Sequence, residues 1–325
     1  RPLTSTSLDG EPKAGALALL VVREALAGYD VIQLPGIFAP APGLLASVDE
    51  PLRSRYLEPL LAGTKQGAFG FTEPAEAERH TWAAVDRDEL IVNGRKSYVT
   101  GGADADFVNT LVEVDELGPA MVVIDTDRPG VRITRRFESL DGSHHAAFEF
   151  RDVRVPRANI VGKPGKGMDR AMAQVGGVRM AIAATCLGLT ANVVGQVERY
   201  LASPNRDGSP LGDSERHRLR YGEMRIKAFA ARSSVYRIAR IIDAGAVRGE
   251  RAINEIMMAK YLATETVGQV VDAAVQTIGG QALTLGHPLE SILRRVRSLR
   301  LAEGASDVLA ANIARGRLEL ESGTL

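Results

Sequence analysis

Gln276-Thr277-Ile278-Gly279-Gly280, then the basic run from Arg294 to Arg300, then Glu303-Gly304-Ala305-Ser306 form the stretch on which the fold turns. Paired glycines behind an apolar-periodic segment leave the main chain bare for close approach by a ligand, whereas a plain helix stop needs only one glycine. The pattern predicts that Glu303 opens the final helix, where a carboxylate is favoured by roughly 0.3 to 1 kcal/mol. Dense positive charge just before it would let the protein set that carboxylate's ionisation, which makes Glu303 the candidate base.

Working outward, apolar residues recur at three- and four-residue spacing over 170–201, 214–247, 251–278 and 303–319. Four long helices with short links read as a bundle. Upstream, from Gly67 to about Val161, the period changes to alternation broken by turns, with strands expected at 108–114, 121–124, 131–133 and 147–150. Leu90-Ile91-Val92 and Ser97-Tyr98-Val99 flank Asn93-Gly94, a strong hairpin signal. Several short strands joined by turns predict an antiparallel β-barrel or sandwich. Helical spacing over 16–29 and a short helix over 53–61 stopped by Gly63 make a small N-terminal helical region, with a turn-rich stretch over 32–42 and a loose arm over the first dozen residues. The expected fold is therefore α+β, with a short helical region at 1–66, a β domain at 67–165 and a helical bundle at 166–325.

The 325 residues carry 40 basic and 40 acidic side chains, so no global field favours a polyanion and nucleic-acid binding is not expected. A lone Cys186 cannot pair within the chain, which excludes a disulfide framework and suggests a cytoplasmic setting. Apolar stretches such as 181–194 contain Thr and Asn and run short of the roughly 20 residues a membrane span needs, and no signal peptide is visible. Gly162 to Gly167 has Walker-like glycine spacing, but Met168 stands where that loop needs Lys. His144-His145 would point to opposite faces of a strand with no third ligand nearby, so no metal site is expected.

The order of these pieces resembles the acyl-CoA dehydrogenase family. The family's Q-x-x-G-G turn matches Gln276, Gly279 and Gly280, and its base triplet matches Glu303-Gly304-Ala305. Phe71-Thr72-Glu73-Pro74 is similar to its T-E-P segment, and Asn93-Gly94-Arg95-Lys96-Ser97-Tyr98-Val99-Thr100 to its N-G-x-K-x-W-I-T strand. The resemblance implies FAD as cofactor, since no side chain accepts hydride. It implies that Phe71, Thr72, Tyr98, Val99 and Thr100 wall the isoalloxazine, with Tyr98 in place of the usual Trp. Gln276, Gly279 and Gly280 would meet the adenylate of a neighbouring subunit's FAD, and Arg206 would reach its pyrophosphate. Arg179 would tune Glu303 and orient an acyl thioester, carried by coenzyme A or an acyl-carrier protein. A homodimer or homotetramer, or a hetero-oligomer, and an electron-transfer flavoprotein acceptor are implied with it.

Departures from the pattern shape the alternatives. The glycine-serine-aspartate segment that usually follows T-E-P is replaced by Ala75-Glu76-Ala77-Glu78-Arg79-His80, whose acids would repel coenzyme A phosphates unless Arg79 compensates. The usual R-D pair becomes Arg294-Arg295, and the F-G pair after Arg206 is missing. A partner subunit holding part of a cofactor site, an acyl-carrier-protein dehydrogenase and a flavin oxygenase of the same fold are the competing expectations.

Overall fold

Residues 67–156 form seven strands in a computed structural model that describes residues 14–32, 42–247 and 249–320. They are β1 (Gly67–Gly70), β2 (Trp82–Asp86), β3 (Glu89–Thr100), β4 (Phe107–Val114), β5 (Gly118–Asp125), β6 (Val131–Glu138) and β7 (His144–Pro156). The expected arm before residue 14, most of the 32–42 stretch, and residues 321–325 lie outside the described residues. Two compact units emerge: one of described residues 42–174, the other of residues 14–32 with 175–320.

The first unit is a curled sheet. Its hydrogen-bonded path runs β1-β4-β2-β3-β7-β6, with β5 on β4. The all-antiparallel expectation needs correction, because β1–β4 and β2–β4 pair in parallel. One face buries Val92, Val122, Ile124, Phe148 and Val155. A second cluster gathers Leu45, Tyr56, Met121 and Val123, placing the helical turn over 53–57 and α2 (Glu58–Leu61) against the sheet.

The hairpin expected at Asn93-Gly94 does not exist. The chain turns instead between Asp86 and Glu89, and β3 continues straight through Asn93-Gly94 with a register shift against β7. Gly94 has φ +140, and a Cβ there would lie 2.6 Å from the Thr81 Cα. The glycine thus serves a bulge and a close backbone approach, a second use of the same residue type that mimics a turn signal.

The second unit is helical: α1 (Ala16–Gly28), α3 (Gly167–Leu201, from Val175 onward), α4 (Glu215–Asp243), α5 (Glu250–Ile278), α6 (Pro288–Leu299) and α7 (Ser306–Leu320). The basic run from Arg294 belongs to a helix that periodicity missed, and the N-terminal helix packs into this unit's core through Leu20 and Ala27. Gly15 offers no capping side chain, so Asp243 of α4 accepts from Ala16 N at 2.6 Å and Leu17 N at 3.0 Å. Gly188 of α3 lets α1 come close, because a Cβ there would collide with the Glu24 carbonyl. By length and composition α3 could cross a bilayer, contrary to the short runs read from the sequence, but 56% of its most apolar window is buried, as expected of a core helix. Cys186 lies fully buried in that core, where burial pushes its thiol up to about 12.

Candidate functional site

Glu303 does not open a helix. It lies in the turn between α6 and α7, with φ +53 followed by Gly304 at φ +107, and α7 starts at Ser306. Consecutive left-handed residues make a sharp corner, and Gly304 is needed there: a Cβ would lie 3.0 Å from Leu309 and 3.4 Å from the Arg179 guanidinium. The corner leaves carbonyl oxygens without helical partners, and buried cations from two other helices supply them. Arg179 of α3, 8% exposed, donates from Nε to the Glu303 carbonyl at 2.9 Å. Lys260 of α5, fully buried, donates from Nζ to the Gly304 carbonyl at 2.8 Å and the Arg300 carbonyl at 3.3 Å.

Held this way, the Glu303 carboxylate is half-buried and makes no hydrogen bond or ion pair within 4 Å among the described residues. Burial raises its pKa, against the opposing pull of Arg179 and Lys260. That combination suits a base: less stable as an anion than an exposed carboxylate, yet kept ionisable by nearby positive charge. The charge does not come from the arginine run that first suggested it. Arg294 pairs with Glu290 at 2.7 Å, Arg295 with Asp30 at 2.6 Å, and Arg300 with Glu265 at 2.8 Å. Glu265 also accepts from Ser306 Oγ at 2.6 Å, so one carboxylate of α5 ties the end of α6 to the start of α7.

In the sheet unit, Thr72, Tyr98 and Thr100 are exposed, Phe71 is half-buried and the Val99 side chain is in the core, so Val99 can offer a ligand only its backbone. Ser97 N donates to the Thr72 carbonyl at 2.8 Å, pinning the T-E-P loop beside β3. Tyr98 is 64% exposed and holds φ +52, a conformation costing about 1 kcal/mol for a side chain of this kind. Its ring meets Phe137 edge-on at 5.2 Å, and Thr100 Oγ1 lies 3.2 Å from His145 Nδ1. A groove of about 310 Å³ opens alongside, lined by Ala103, Asp104, Arg136, Phe137, Glu138 and the two histidines.

The loop beneath is clamped by groups the sequence did not single out. Glu73 accepts from Lys96 Nζ at 2.7 Å and Thr81 N at 2.8 Å, and pairs with His80 Nδ1 at 2.5 Å. Burial alone would raise its pKa, but these hydrogen bonds prevail and hold it down at about 2. Lys96 is 1% exposed, and burial lowers its pKa although Glu73 pulls the other way. Arg79 does not offset Glu76 and Glu78: it reaches Asp115 at 3.7 Å and covers the Trp82 ring at 4.4 Å.

In the helical unit, Gln276 is exposed near the end of α5, and Arg220 donates to its carbonyl at 3.3 Å. Gly279 ends the helix at φ +88, and a Cβ at Gly279 or Gly280 would meet nothing within 4 Å, so this corner is bare backbone facing open space. Arg206 is exposed in the loop between α3 and α4, its N–H donating to Asn205 Oδ1 at 2.8 Å. These residues fit a flavin dinucleotide: an exposed strained aromatic with two exposed hydroxyls near it, and separately an unobstructed glycine corner. No group of three metal-ligating side chains occurs among the described residues.

Lys260 and Glu265 are contributors missed in sequence, while Glu73 and Lys96 stand inside the quoted segments without a role assigned to them there. For Lys260 a signal existed, because it shares a helical stripe with Met257, Thr264, Val267 and Val271, all buried.

Residues 68–153 match the family model for the acyl-CoA dehydrogenase middle domain and residues 165–318 that for the C-terminal domain. A 3-(aryl)acrylate reductase of Clostridium sporogenes is 29% identical, over 88% of this chain and 77% of its own length. A probable acyl-CoA dehydrogenase of Bacillus subtilis is 26% identical over 95% of this chain and 83% of its own. The solved structure of butyryl-CoA dehydrogenase from Megasphaera elsdenii superposes with TM-score 0.82 at 26% identity, covering 95% of this chain and 84% of that one.

Proposed function

The chain belongs to the acyl-CoA dehydrogenase family, FAD-dependent flavoprotein oxidoreductases, and from that premise we propose that it oxidises an acyl thioester between its α and β carbons with Glu303 as the base. The observation that carries this reading is the Glu303 corner: a half-buried carboxylate of raised pKa, without a hydrogen-bond partner among the described residues, on a turn held by two buried cations.

FAD, when bound, accepts the hydride that leaves the β carbon. The Glu303 carboxylate takes the α-proton, breaking the C–H bond and leaving a double bond between the two carbons. Arg179 keeps the carboxylate's backbone fixed while its charge keeps the ionised form accessible at working pH. Thr72, Tyr98 and Thr100 would hold the isoalloxazine, with Phe71 behind them and Val99 contributing backbone. Gln276, Gly279, Gly280 and Arg206 would hold the adenylate and pyrophosphate, in a site completed by a second copy of the chain. The acceptor in this reading is an electron-transfer flavoprotein, the location is cytoplasmic, and along the chain a short N-terminal region, whose first helix joins the helical unit, precedes a barrel-like flavin domain and a helical bundle.

A second reading reverses the direction. The similarity to a protein named 3-(aryl)acrylate reductase favours an enzyme that saturates an α,β-unsaturated acyl group, with Glu303 as proton donor. By microscopic reversibility the same residues serve both directions, and a raised carboxyl pKa suits donation as well as removal.

Anaerobic mixing of flavin-loaded protein with saturated acyl-CoA and acyl-carrier substrates tests the first reading through bleaching of flavin absorbance. Mixing the reduced protein with unsaturated thioesters tests the second through recovery of colour. Glu303→Gln should abolish both. A flavin that stays unchanged with every thioester, or a Glu303→Gln variant that turns over normally, would refute the assignment.

A further inference from the structure

We propose that Lys260 is a positioning residue for Glu303: its buried ammonium holds the carbonyls on either side of that residue and adds positive charge near the carboxylate. This deepens the proposed role of Glu303 as base and rests on it.

The geometry comes first. Lys260 Nζ bonds the Arg300 carbonyl before Glu303 and the Gly304 carbonyl after it, while Arg179 bonds the carbonyl of Glu303 itself. The backbone that aims the carboxylate is thus gripped at three acceptors by two cations from different helices. Glu265, further along α5 from Lys260, grips the same segment from the side through the Arg300 guanidinium and the Ser306 hydroxyl. Helix α5 is therefore the splint of the α6–α7 corner.

A lysine is an unfavourable way to satisfy two carbonyls. Full burial disfavours its charge, and among the described residues it has no carboxylate within 4 Å, so a neutral donor would serve the backbone at lower cost. What only the lysine adds is charge. The groups facing it are Arg179 and Cys186 of α3, Glu265 of α5 and Glu303 of the corner. Burial brings its pKa down to about 8, with Arg179 pushing the same way and Cys186, Glu303 and Glu265 opposing. Below about pH 8 the corner therefore holds two cations near Glu303, and above it only Arg179, which never deprotonates.

Lys260→Met keeps the length and removes charge and donor, Lys260→Gln keeps a donor without charge, and Lys260→Arg keeps the charge. In the flavin-loaded protein, Lys260→Met should move the acid limb of flavin reduction upward by about one pH unit, because Glu303 loses a stabilising cation. The limiting rate should fall by about tenfold with substrate affinity held within about twofold, since the base is misaimed and the binding surface is intact. Lys260→Gln should shift the limb equally with a smaller loss of rate, and Lys260→Arg should return the limb toward wild type. Independently of activity, hydrogen exchange in flavin-free Lys260→Met should speed up over residues 300–309 and stay unchanged in strands β3 and β7.

A limb and exchange pattern identical to wild type would overturn the inference, as would a variant that only melts earlier and loses FAD while each bound flavin reacts with an unmoved pH profile. If Lys260→Met does not fold, Lys260→Gln carries the same test, because its limb must shift for the inference to stand. The two failures separate cleanly: turnover retained in Glu303→Gln defeats the base assignment, whereas a dead Glu303→Gln beside an unmoved Lys260→Met profile defeats only the role of Lys260.

Discussion

Arg179 donates from Nε to the carbonyl oxygen of Glu303 at 2.9 Å, and not to its carboxylate. Arg179 thus acts on where that candidate base points and, through space, on its charge. Arg179→Lys keeps the charge but shortens the reach, so flavin reduction should slow by about tenfold with the acid limb near wild type. Arg179→Met removes both and should also move the limb upward by about one pH unit. Stopped-flow absorbance across pH distinguishes the two.

Glu303 also makes a stability prediction of definite sign. Its folded-state pKa is raised by burial, so the folded protein binds that proton more tightly than the unfolded chain does. The contribution favours folding below the ordinary carboxylate pKa and is lost as pH rises through the raised one. Glu303→Gln removes this penalty. Its melting temperature should equal or trail that of wild type at pH 4 and exceed it at pH 8, by calorimetry on flavin-free protein.

Glu73 behaves oppositely. Held down at about 2 by hydrogen bonds from Lys96, Thr81 and His80 despite its burial, it stabilises the fold fully above the ordinary carboxylate pKa of 4.5 and progressively less as pH falls toward 2. Glu73→Gln should flatten the acid branch of the stability curve. It should also cost about 3 kcal/mol at neutral pH, because it strands the Lys96 ammonium, which is 1% exposed. Urea unfolding at several pH values measures both effects.

Gly94→Ala tests the bulge that replaced the expected hairpin. At φ +140, with a Cβ placed 2.6 Å from the Thr81 backbone, alanine should destabilise the protein by about 2 kcal/mol. A true type I′ turn at Asn93-Gly94 would tolerate the same change at lower cost. Equilibrium denaturation with circular dichroism decides between them.

The proposed flavin wall and base were legible in the sequence by type and order, because Thr72, Tyr98, Thr100, Gly279 and Glu303 sit in short local patterns. What they did not announce is how those groups are aimed. Lys260 lies 43 positions before Glu303 and grips its neighbours across a helix packing that no local window contains. The run from Arg294 looked like the source of charge around Glu303, yet Arg294, Arg295 and Arg300 are neutralised by Glu290, Asp30 and Glu265. Two of those partners are reached only through tertiary contact. Asn93-Gly94 misled for a different reason: positive φ at glycine serves turns and bulges alike, and only the neighbouring Thr81 backbone tells which.

The sole thiol of the chain is walled inside the helical core. Reagents such as iodoacetamide or a maleimide dye should leave the intact protein untouched and mark only molecules whose helices have come apart. Without any engineered label, the rate of that alkylation becomes a clock for how often this half of the molecule opens, and adding FAD during the reaction would show how firmly the cofactor keeps it shut.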